Sequence, residues 1–286
     1  ILKQNDNSYF YLNSSFDRRS YILDFINYDK SILHLHYSFD IDNEDIFPKK
    51  NFSLIDQFKN IIVNNQITKE KLIKNNIKEK KINILGIAVD KNNWKKNKYS
   101  AIKFKKKMNM SKHILIGASG QISLRKGSDI FLDIAEKYIK NNNIKFIWLG
   151  GISHTSNKKN NYSNKELRDK FNKMKNITII NPRNNAYKIF NALDIFLIPS
   201  RDEVGPLTLI ENLFLGNIVI SHRNCGIVSK VLKNEDTNML DFNVPEHYKN
   251  QIDKILNNLV KSNQVNNLNV YEIENQIEKF YEKYFN

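Results

Sequence analysis

The hydrophobic and polar positions from residue 112 onward follow two alternating patterns. Short apolar runs predict buried strands, and longer stretches with apolar residues three and four positions apart predict amphipathic helices. The predicted strands are 113–117, 144–149, 177–180, 195–198, 218–221 and 239–242. The predicted helices are 127–140, 165–174, 186–192, 207–215 and 227–232. This order predicts a parallel sheet with helices on both faces and its chemistry at the carboxyl ends of the strands.

The chain before residue 112 shows a shorter version of the same pattern. Its predicted strands are 9–12, 32–35, 61–63 and 82–85, and its predicted helices are 19–26, 54–60 and 68–75. Three or four strands are fewer than a free-standing doubly wound domain usually has. Two further helices are predicted at the end of the chain, over 248–260 and 270–284.

These patterns predict an α/β protein. Together with the resemblance to a known family described below, they imply two Rossmann-like domains, the N-terminal one incomplete. Its parts would be a partial N-terminal domain (1–90), a basic linker without clear periodicity (91–111), a C-terminal domain (112–267) and a last helical segment (268–286). We expect the first strands of the N-terminal domain to be missing, in keeping with a chain that begins at Ile1.

Composition excludes several protein classes. Hydrophobic residues make up 41% of the 286 residues, which is enough for a folded core. No apolar run reaches the roughly 18 residues of a membrane-spanning helix. The one cysteine, Cys225, cannot form an internal disulfide, and with no signal segment in view a reducing, cytoplasmic location is expected.

Positive charge is concentrated in one region. The formal net charge is +15, and residues 64–112 hold 15 lysines and 3 acidic residues, a local charge of +12. Such a field attracts phosphate-bearing partners, among them anionic lipid, nucleic acid and phosphorylated substrates. A solvated face in a chain rich in Lys, Asn and Ile throughout is the alternative.

Two loops carry the strongest candidate chemistry. The first, 199–206, follows a predicted strand and opens a helix, and it places Glu203 eight positions before Glu211. Free amides at a helix N-terminus attract anions, while a carboxylate one turn further in can accept from sugar hydroxyls. The second loop, 117–127, is glycine-bearing and carries Arg125 and Lys126, which can neutralise a diphosphate. The GxxxxGK[ST] spacing of a Walker A loop is absent.

Together these elements resemble the retaining, GT-B-type glycosyltransferases of the "glycosyl transferases group 1" family (family 4-like). The similar segments are the glycine loop from Gly120 through the 126–129 KGSD element, 146–151 (FIWLGG), 192–200 (ALDIFLIPS), the Glu203–Glu211 pair and 216–220 (GNIVI). The resemblance covers residues 112 to about 267. It implies a GT-B fold and transfer of a sugar from a nucleotide-diphosphate donor to a hydroxyl acceptor in cell-surface glycan or glycolipid synthesis, with no metal and no cofactor.

The resemblance also implies roles for individual residues. Lys126 and Glu203 would be catalytic residues, Lys126 as the main diphosphate contact and Glu203 facing the donor sugar or its phosphate. The remaining donor-binding residues would be Gly120, Arg125, Arg183, Val204, Gly205, Leu207, Thr208 and Glu211, with Glu211 accepting from the ribose and Arg183 near the base. Gln121 stands where the family often has a second basic residue, and Ser229 where it usually has an acid.

The first half resembles the acceptor-side domain of the family more weakly. His36 ends a predicted strand and would be the catalytic histidine that faces the donor sugar across the cleft. A strand-end histidine with a purely structural hydrogen bond is the alternative. His34 shares its strand face but should lie deeper.

Other interpretations remain open. Asp40 and Asp42, with Glu44 and Asp45 nearby, have the spacing of a metal-binding Asp-x-Asp motif, although a solvated acidic loop is the favoured explanation. An epimerase or phosphorylase can share the two-domain plan, because fold does not fix reaction. Expected partners are a nucleotide sugar and a glycan or lipid-linked acceptor. A peripheral contact with an anionic membrane is also open, and nucleic acid is disfavoured because no known module is present.

Overall fold

The structure is a computed structural model that describes residues 10–13, 26–36, 50–151, 164–182, 186–234, 236–258, 263, 265 and 267–284. The chain divides into two compact units. The first comprises Ile1–Ile87 and Gln276–Asn286, and the second comprises Ala88–Asn275.

The first unit is built on a four-stranded parallel sheet in the order β1-β2-β3-β4. Its strands are β1 (Phe10–Asn13), β2 (Ser31–Leu35), β3 (Asn60–Val63) and β4 (Ile82–Ile84). Its helices are α1 (Lys50–Ile55) and α2 (Gln66–Lys74), with 3₁₀ turns at Tyr28–Lys30 and Glu79–Lys81. The four strands predicted from the sequence are confirmed.

Helix α1 ends earlier than the predicted helix 54–60. The phenyl ring of Phe58 is fully buried and meets the Tyr28 ring edge-on at 4.9 Å. The chain therefore turns after Ile55 to bury Phe58, and Asn60 already starts β3. The predicted helix 19–26 lies, except for Ile26, outside the described residues.

The second unit contains a six-stranded parallel sheet in the order β10-β9-β8-β5-β6-β7. The strands are β5 (Ile114–Ser119), β6 (Ile144–Leu149), β7 (Ile177–Ile180), β8 (Ile195–Ile198), β9 (Ile218–His222) and β10 (Met239–Leu240). The helices are α3 (Lys98–Lys107), α4 (Ser128–Lys137), α5 (Asn164–Lys173), α6 (Ala186–Phe190), α7 (Leu207–Phe214), α8 (Val228–Val231) and α9 (Pro245–Leu256), with 3₁₀ turns at Lys91–Trp94 and Leu268–Tyr271.

The sheet of the second unit reverses its winding at one place. From β5 the chain proceeds outward through β6 and β7, then returns to the other side of β5 and continues through β8, β9 and β10. In such sheets a crevice opens between the carboxyl ends of the two strands at the reversal. The neighbours there are β5 and β8, which precede the two loops that the sequence analysis singled out.

Aromatic side chains fill much of the core on one side of this sheet. The rings of Phe131, Phe146, Trp148 and Phe171 are almost completely buried. Phe131 on α4 meets the Trp148 ring at 5.2 Å and stacks parallel to Phe171 on α5 at 6.1 Å. These contacts fix α4, and with it the loop that leads into α4, against the sheet.

The segment predicted as a basic linker is structured instead. Residues 91–111 contain a 3₁₀ turn and helix α3, and they belong to the second unit. Asn97 caps α3 by accepting from the Ser100 amide, and Lys105 on its inner face forms an ion pair with Asp194 at 2.9 Å. The helical period is hidden in the sequence because lysine occupies both the inner and the outer face.

The last helix, α10 (Ile273–Tyr284), starts in the second unit and continues into the first from Gln276. Within the first unit, its Phe280 ring meets the Tyr11 ring of β1 edge-on at 5.8 Å. Among the described residues no helix is both long and apolar enough to cross a bilayer.

Candidate active site

The loops after β5 and β8 are packed against each other in the second unit. The Arg201 amide donates to the Arg125 carbonyl at 2.9 Å. Gly127 adopts a left-handed conformation (φ +66°), and a Cβ atom at this position would lie 1.9 Å from the Pro199 carbonyl oxygen. Only glycine lets the two loops approach so closely.

Lys126 and Glu203 meet between these loops. The Lys126 ammonium forms an ion pair with the Glu203 carboxylate, and both side chains are mostly buried. The Ser200 hydroxyl donates to the same carboxylate oxygen of Glu203 at 3.0 Å. The structure thus brings together two residues that the sequence analysis assigned to donor binding, and it shows that each neutralises the other.

Arg201 forms a second bridge between the loops that the sequence analysis missed. Its guanidinium donates to both carboxylate oxygens of Asp129 at 2.7 and 2.6 Å and to the Leu124 carbonyl at 2.6 Å. The hydrogen bonds to Asp129 raise the pKa of Arg201 above its ordinary value. A bidentate pair of this kind fixes orientation as well as distance.

Arg125 lies on the exposed side of the same loop. Its guanidinium donates to the Asp202 carbonyl at 3.1 Å, so it also spans the two loops. Gly120, at the start of the glycine loop, accepts from the Trp148 indole N–H at 3.0 Å. Both residues therefore lie close to Lys126, and their role in donor binding stays a prediction.

Helix α7 opens directly after the second loop. Val204 and Gly205 lie in the loop, and Leu207 and Thr208 are the first two residues of the helix. The N-cap residue, Pro206, makes no side-chain hydrogen bond to this N-terminus. The amides of a first helical turn have no partner within the helix, so this end carries partial positive charge.

Glu211 lies one turn into α7 and is half-buried. Burial raises the pKa of its carboxyl group from 4.5 to about 7. Among the described residues, none donates a hydrogen bond or a salt bridge to this carboxylate. A half-buried carboxylate that accepts no hydrogen bond from a described side chain can accept hydrogen bonds from the hydroxyl groups of a ligand.

Two buried side chains, His222 and Cys225, lie next to the loop after β8. The His222 ring donates from Nε2 to the Ser200 carbonyl at 2.8 Å, and burial lowers the pKa of this histidine. The Cys225 thiol is buried, and burial together with the negative charge of Glu203 raises its pKa to about 12. A thiol of this kind stays protonated and acts as packing rather than as a nucleophile.

In the first unit, His36 directly follows β2 and belongs to a hydrogen-bonded group. The Asn64 amide donates to His36 Nδ1 at 3.0 Å, and His36 Nε2 donates to Asn13. His34 lies deeper, donates to Asn64 Oδ1 at 2.6 Å and accepts from the Tyr11 hydroxyl. Burial lowers the pKa of both histidines, so both rings are neutral near pH 7.

Several sequence candidates lie outside the described residues. They are Arg183, the residue expected near the base, and the acidic positions Asp40, Asp42, Glu44 and Asp45. Within the described part of the chain, no cluster of three or more His, Cys, Asp or Glu side chains has the arrangement of a metal site.

The residues that sequence reasoning missed are those that hold the site together. Arg201 and Asp129 are 72 positions apart, and His222 and Ser200 are 22 positions apart. Both pairs depend on which strands are neighbours in the sheet. The sequence alone does not indicate either pair, because the partners come together only through the strand order that places β5, β8 and β9 side by side.

Known proteins share this fold and parts of this sequence. The alpha-galactosylglucosyldiacylglycerol synthase of Streptococcus pneumoniae is 28% identical over 166 residues, which cover 56% of this chain and 42% of the synthase. The glycogen synthase of Mycoplasma mobile is 30% identical over 155 residues, covering 51% of this chain and 31% of that enzyme. The chain therefore matches less than half the length of these curated relatives.

Among solved structures, Anabaena HepE in complex with UDP and glucose superposes with a TM-score of 0.74 at 16% identity. The match covers 88% of this chain and 70% of HepE. The parallel α/β architecture is thus the GT-B architecture. The profile of the family described as "Glycosyl transferases group 1" matches residues 100–270, which include both loops of the site and helix α7. The chain belongs to the glycosyl transferases group 1 family.

Proposed function

We propose that this chain is a retaining glycosyltransferase that moves a sugar from a nucleotide-diphosphate donor to a hydroxyl acceptor. The observation that carries the proposal is the Lys126–Glu203 ion pair, which joins the loop after β5 to the loop that opens α7, where the order of the sheet reverses. One turn into α7, Glu211 accepts no hydrogen bond from any described side chain. These groups offer positive charge for a diphosphate and an acceptor for ribose hydroxyls. UDP-glucose is the first donor to test, because HepE has been solved with UDP and glucose.

The proposed reaction breaks the bond between the anomeric carbon and the diphosphate oxygen. Negative charge then develops on the leaving diphosphate, where Lys126, Arg125 and the amides that open α7 stabilise it. The acceptor oxygen forms the new bond to the anomeric carbon from the same face. The acceptor proton passes to the donor phosphate, so charge and atoms balance without a metal ion.

The finer assignments belong to the same proposal. We assign Glu203 to the donor sugar or its phosphate and Arg183 to recognition of the base. We assign Gly120, Val204, Gly205, Leu207 and Thr208 to the lining of the donor site. His36, a residue of the first unit, is the proposed catalytic histidine. We place the enzyme in the cytoplasm, in contact with an anionic membrane surface, where it makes glycolipid or cell-surface glycan. Support for a lipid acceptor comes from the similarity to the alpha-galactosylglucosyldiacylglycerol synthase of S. pneumoniae.

Transfer with and without metal tests this proposal. UDP-glucose is incubated with the chain and either a diacylglycerol monoglycoside or a glucan acceptor, in the presence of EDTA, and the product is examined by NMR. We expect an α-linked product in EDTA that Lys126→Ala reduces at least about 100-fold. A β-linked product, or activity that requires added Mg²⁺, would contradict the proposal.

The alternative of an epimerase on the same plan predicts a different product. An epimerase would convert the sugar nucleotide without any acceptor, whereas a transferase consumes acceptor in proportion to the nucleoside diphosphate released. The ratio of released diphosphate to glycosylated acceptor separates the two activities in the same experiment.

A further inference from the structure

Helix α3 presents one face that takes no part in the fold of the second unit. Its inner face is anchored, because Lys105 pairs with Asp194 at 2.9 Å and the Asn97 amide donates to the Asn191 side chain at 2.7 Å. The opposite side is exposed. We call it the α3 outer face, and it consists of Lys98, Tyr99, Ile102, Lys103, Lys106 and Lys107.

The composition of the α3 outer face combines charge with exposed apolar surface. Tyr99 is 74% and Ile102 65% exposed, although burial is the usual fate of an isoleucine. Four lysines surround these two side chains. Residues 91–112 contain nine lysines and no acidic residue, so the positive field is not compensated within the segment.

We propose that the α3 outer face docks this chain on an anionic lipid surface. Lysines near such a surface are attracted to its headgroups, and tyrosine with an aliphatic neighbour settles at the boundary between headgroups and acyl chains. The helix is held to its unit by Lys105 and Asn97, so the face is presented as a rigid surface and needs no folding on contact.

Nucleic acid fits the same face less well. The charges are all lysines, whereas the planar fork of arginine is the group that binds phosphates and base edges bidentately. Contact with a phosphate backbone would also leave Ile102 in water, while insertion at a bilayer surface removes it from water. The combination of exposed Ile102 with the lysines therefore favours lipid.

Vesicle sedimentation tests the charge component. The full chain is mixed with vesicles of phosphatidylcholine alone or of phosphatidylcholine with phosphatidylglycerol. We expect binding only to the anionic vesicles, weakened by high salt. Since each lysine near the surface contributes roughly fivefold, the variant Lys103→Gln/Lys106→Gln/Lys107→Gln should partition about 100-fold more weakly.

A matched control separates this face from net charge. Lys140, Lys175 and Lys233 are exposed lysines of the same unit outside α3. Their triple replacement by glutamine removes the same charge and should leave partitioning within about threefold of the unmodified chain. An equal loss in both triple variants would overturn the proposal, because a diffuse field would then explain the binding.

The apolar component has its own variant. Tyr99→Ser/Ile102→Ser removes two exposed side chains, so the fold should melt at an unchanged temperature, and vesicle binding should weaken about tenfold at constant charge. Absence of binding to anionic vesicles, or binding to duplex DNA alone with the same dependence on Lys103, Lys106 and Lys107, would overturn the proposal. Donor binding measured on the same variants should be unaffected, so failure here is distinguishable from failure of the proposed glycosyl transfer.

Discussion

At the scale of single residues, the Lys126–Glu203 ion pair has a direct consequence for ligand binding. The ammonium group that would receive a diphosphate is already neutralised by a buried carboxylate. A nucleoside diphosphate must therefore compete with Glu203 for Lys126. A donor that carries a sugar can offset the loss of this ion pair, because the released Glu203 carboxylate can accept hydrogen bonds from the sugar hydroxyls.

The competition predicts an unusual effect of one substitution. In Glu203→Gln the Ser200 hydroxyl keeps an acceptor, but Lys126 loses its counter-charge. We expect UDP, which has no sugar, to bind about three- to tenfold more tightly, and glycosyl transfer to fall. Calorimetric titration with UDP measures the first effect.

The control for that variant is Glu136→Gln, which removes a carboxylate from the exposed side of α4. It should leave UDP affinity unchanged. Weaker UDP binding in Glu203→Gln than in the unmodified chain would show that Glu203 helps the nucleotide rather than competes with it.

Glu211 provides a stability measurement that needs no ligand. Its pKa is about 7 in the folded chain, above its ordinary value of 4.5, so the folded state holds this proton more tightly. The free energy of unfolding must then fall as pH rises from about 4.5 to about 7, and the loss is complete above that range. Glu211→Gln cannot ionise and escapes the loss.

Urea unfolding at pH 5 and pH 8 measures this difference. Relative to the unmodified chain, Glu211→Gln should gain about 2 kcal/mol more at pH 8 than at pH 5. The exposed Glu136→Gln variant should show no such difference. An equal effect of Glu211→Gln at both pH values would mean that the carboxylate is well solvated or paired in solution.

At the scale of elements, the site depends on how closely the loops after β5 and β8 approach. Gly127 and Gly216 both have left-handed backbones, with φ of +66° and +70°. They differ in their surroundings, because a Cβ on Gly127 would collide with the Pro199 carbonyl, whereas nothing lies within 4 Å of one on Gly216.

This pair of glycines separates backbone strain from close packing. Gly216→Ala should cost about 1 kcal/mol of unfolding free energy, which is the strain of the left-handed conformation. Gly127→Ala carries the same strain and must also push the loop after β8 away, so we expect a loss above about 3 kcal/mol and weaker donor binding. If urea unfolding gave the same loss of unfolding free energy for Gly127→Ala and Gly216→Ala, that result would contradict the close approach of the two loops.

The sequence predicts the elements of this fold well where the apolar pattern is dense and poorly where charge hides it. Strands β5, β6 and β8 are mostly apolar runs, whose exposure to water would be unfavourable. Their positions therefore follow directly from the hydrophobic pattern of the sequence. Helix α3 was predicted as a linker, because lysine fills positions on both of its faces. A long side chain such as Lys105 can bury its stem and pair its charge, which polarity alone does not reveal.

At the scale of the whole molecule, the candidate catalytic residues are distributed over both units. The second unit holds the loops with Lys126 and Glu203, and the first holds the neutral His36 with its asparagine partners. The sequence motifs identified Lys126, Glu203 and His36, because each of these residues follows a predicted strand. They did not identify the asparagine partners of His36. The bridge between Arg201 and Asp129 could not be predicted, because it joins loops that only the sheet order brings together.

The most direct test of the account is calorimetric titration of the full chain with UDP, GDP, ADP, CMP and their sugars, with EDTA and with Mg²⁺. We predict saturable binding of one nucleotide in EDTA, weakened at least about tenfold by Lys126→Ala and by Glu211→Ala. Lys140 is an exposed lysine just beyond the C-terminal end of α4, whereas the glycine loop leads into its N-terminal end. Lys140→Ala should therefore bind nucleotide as the unmodified chain does. Binding that is unchanged in Lys126→Ala, or absent for every nucleotide, would contradict a donor site between the carboxyl ends of β5 and β8.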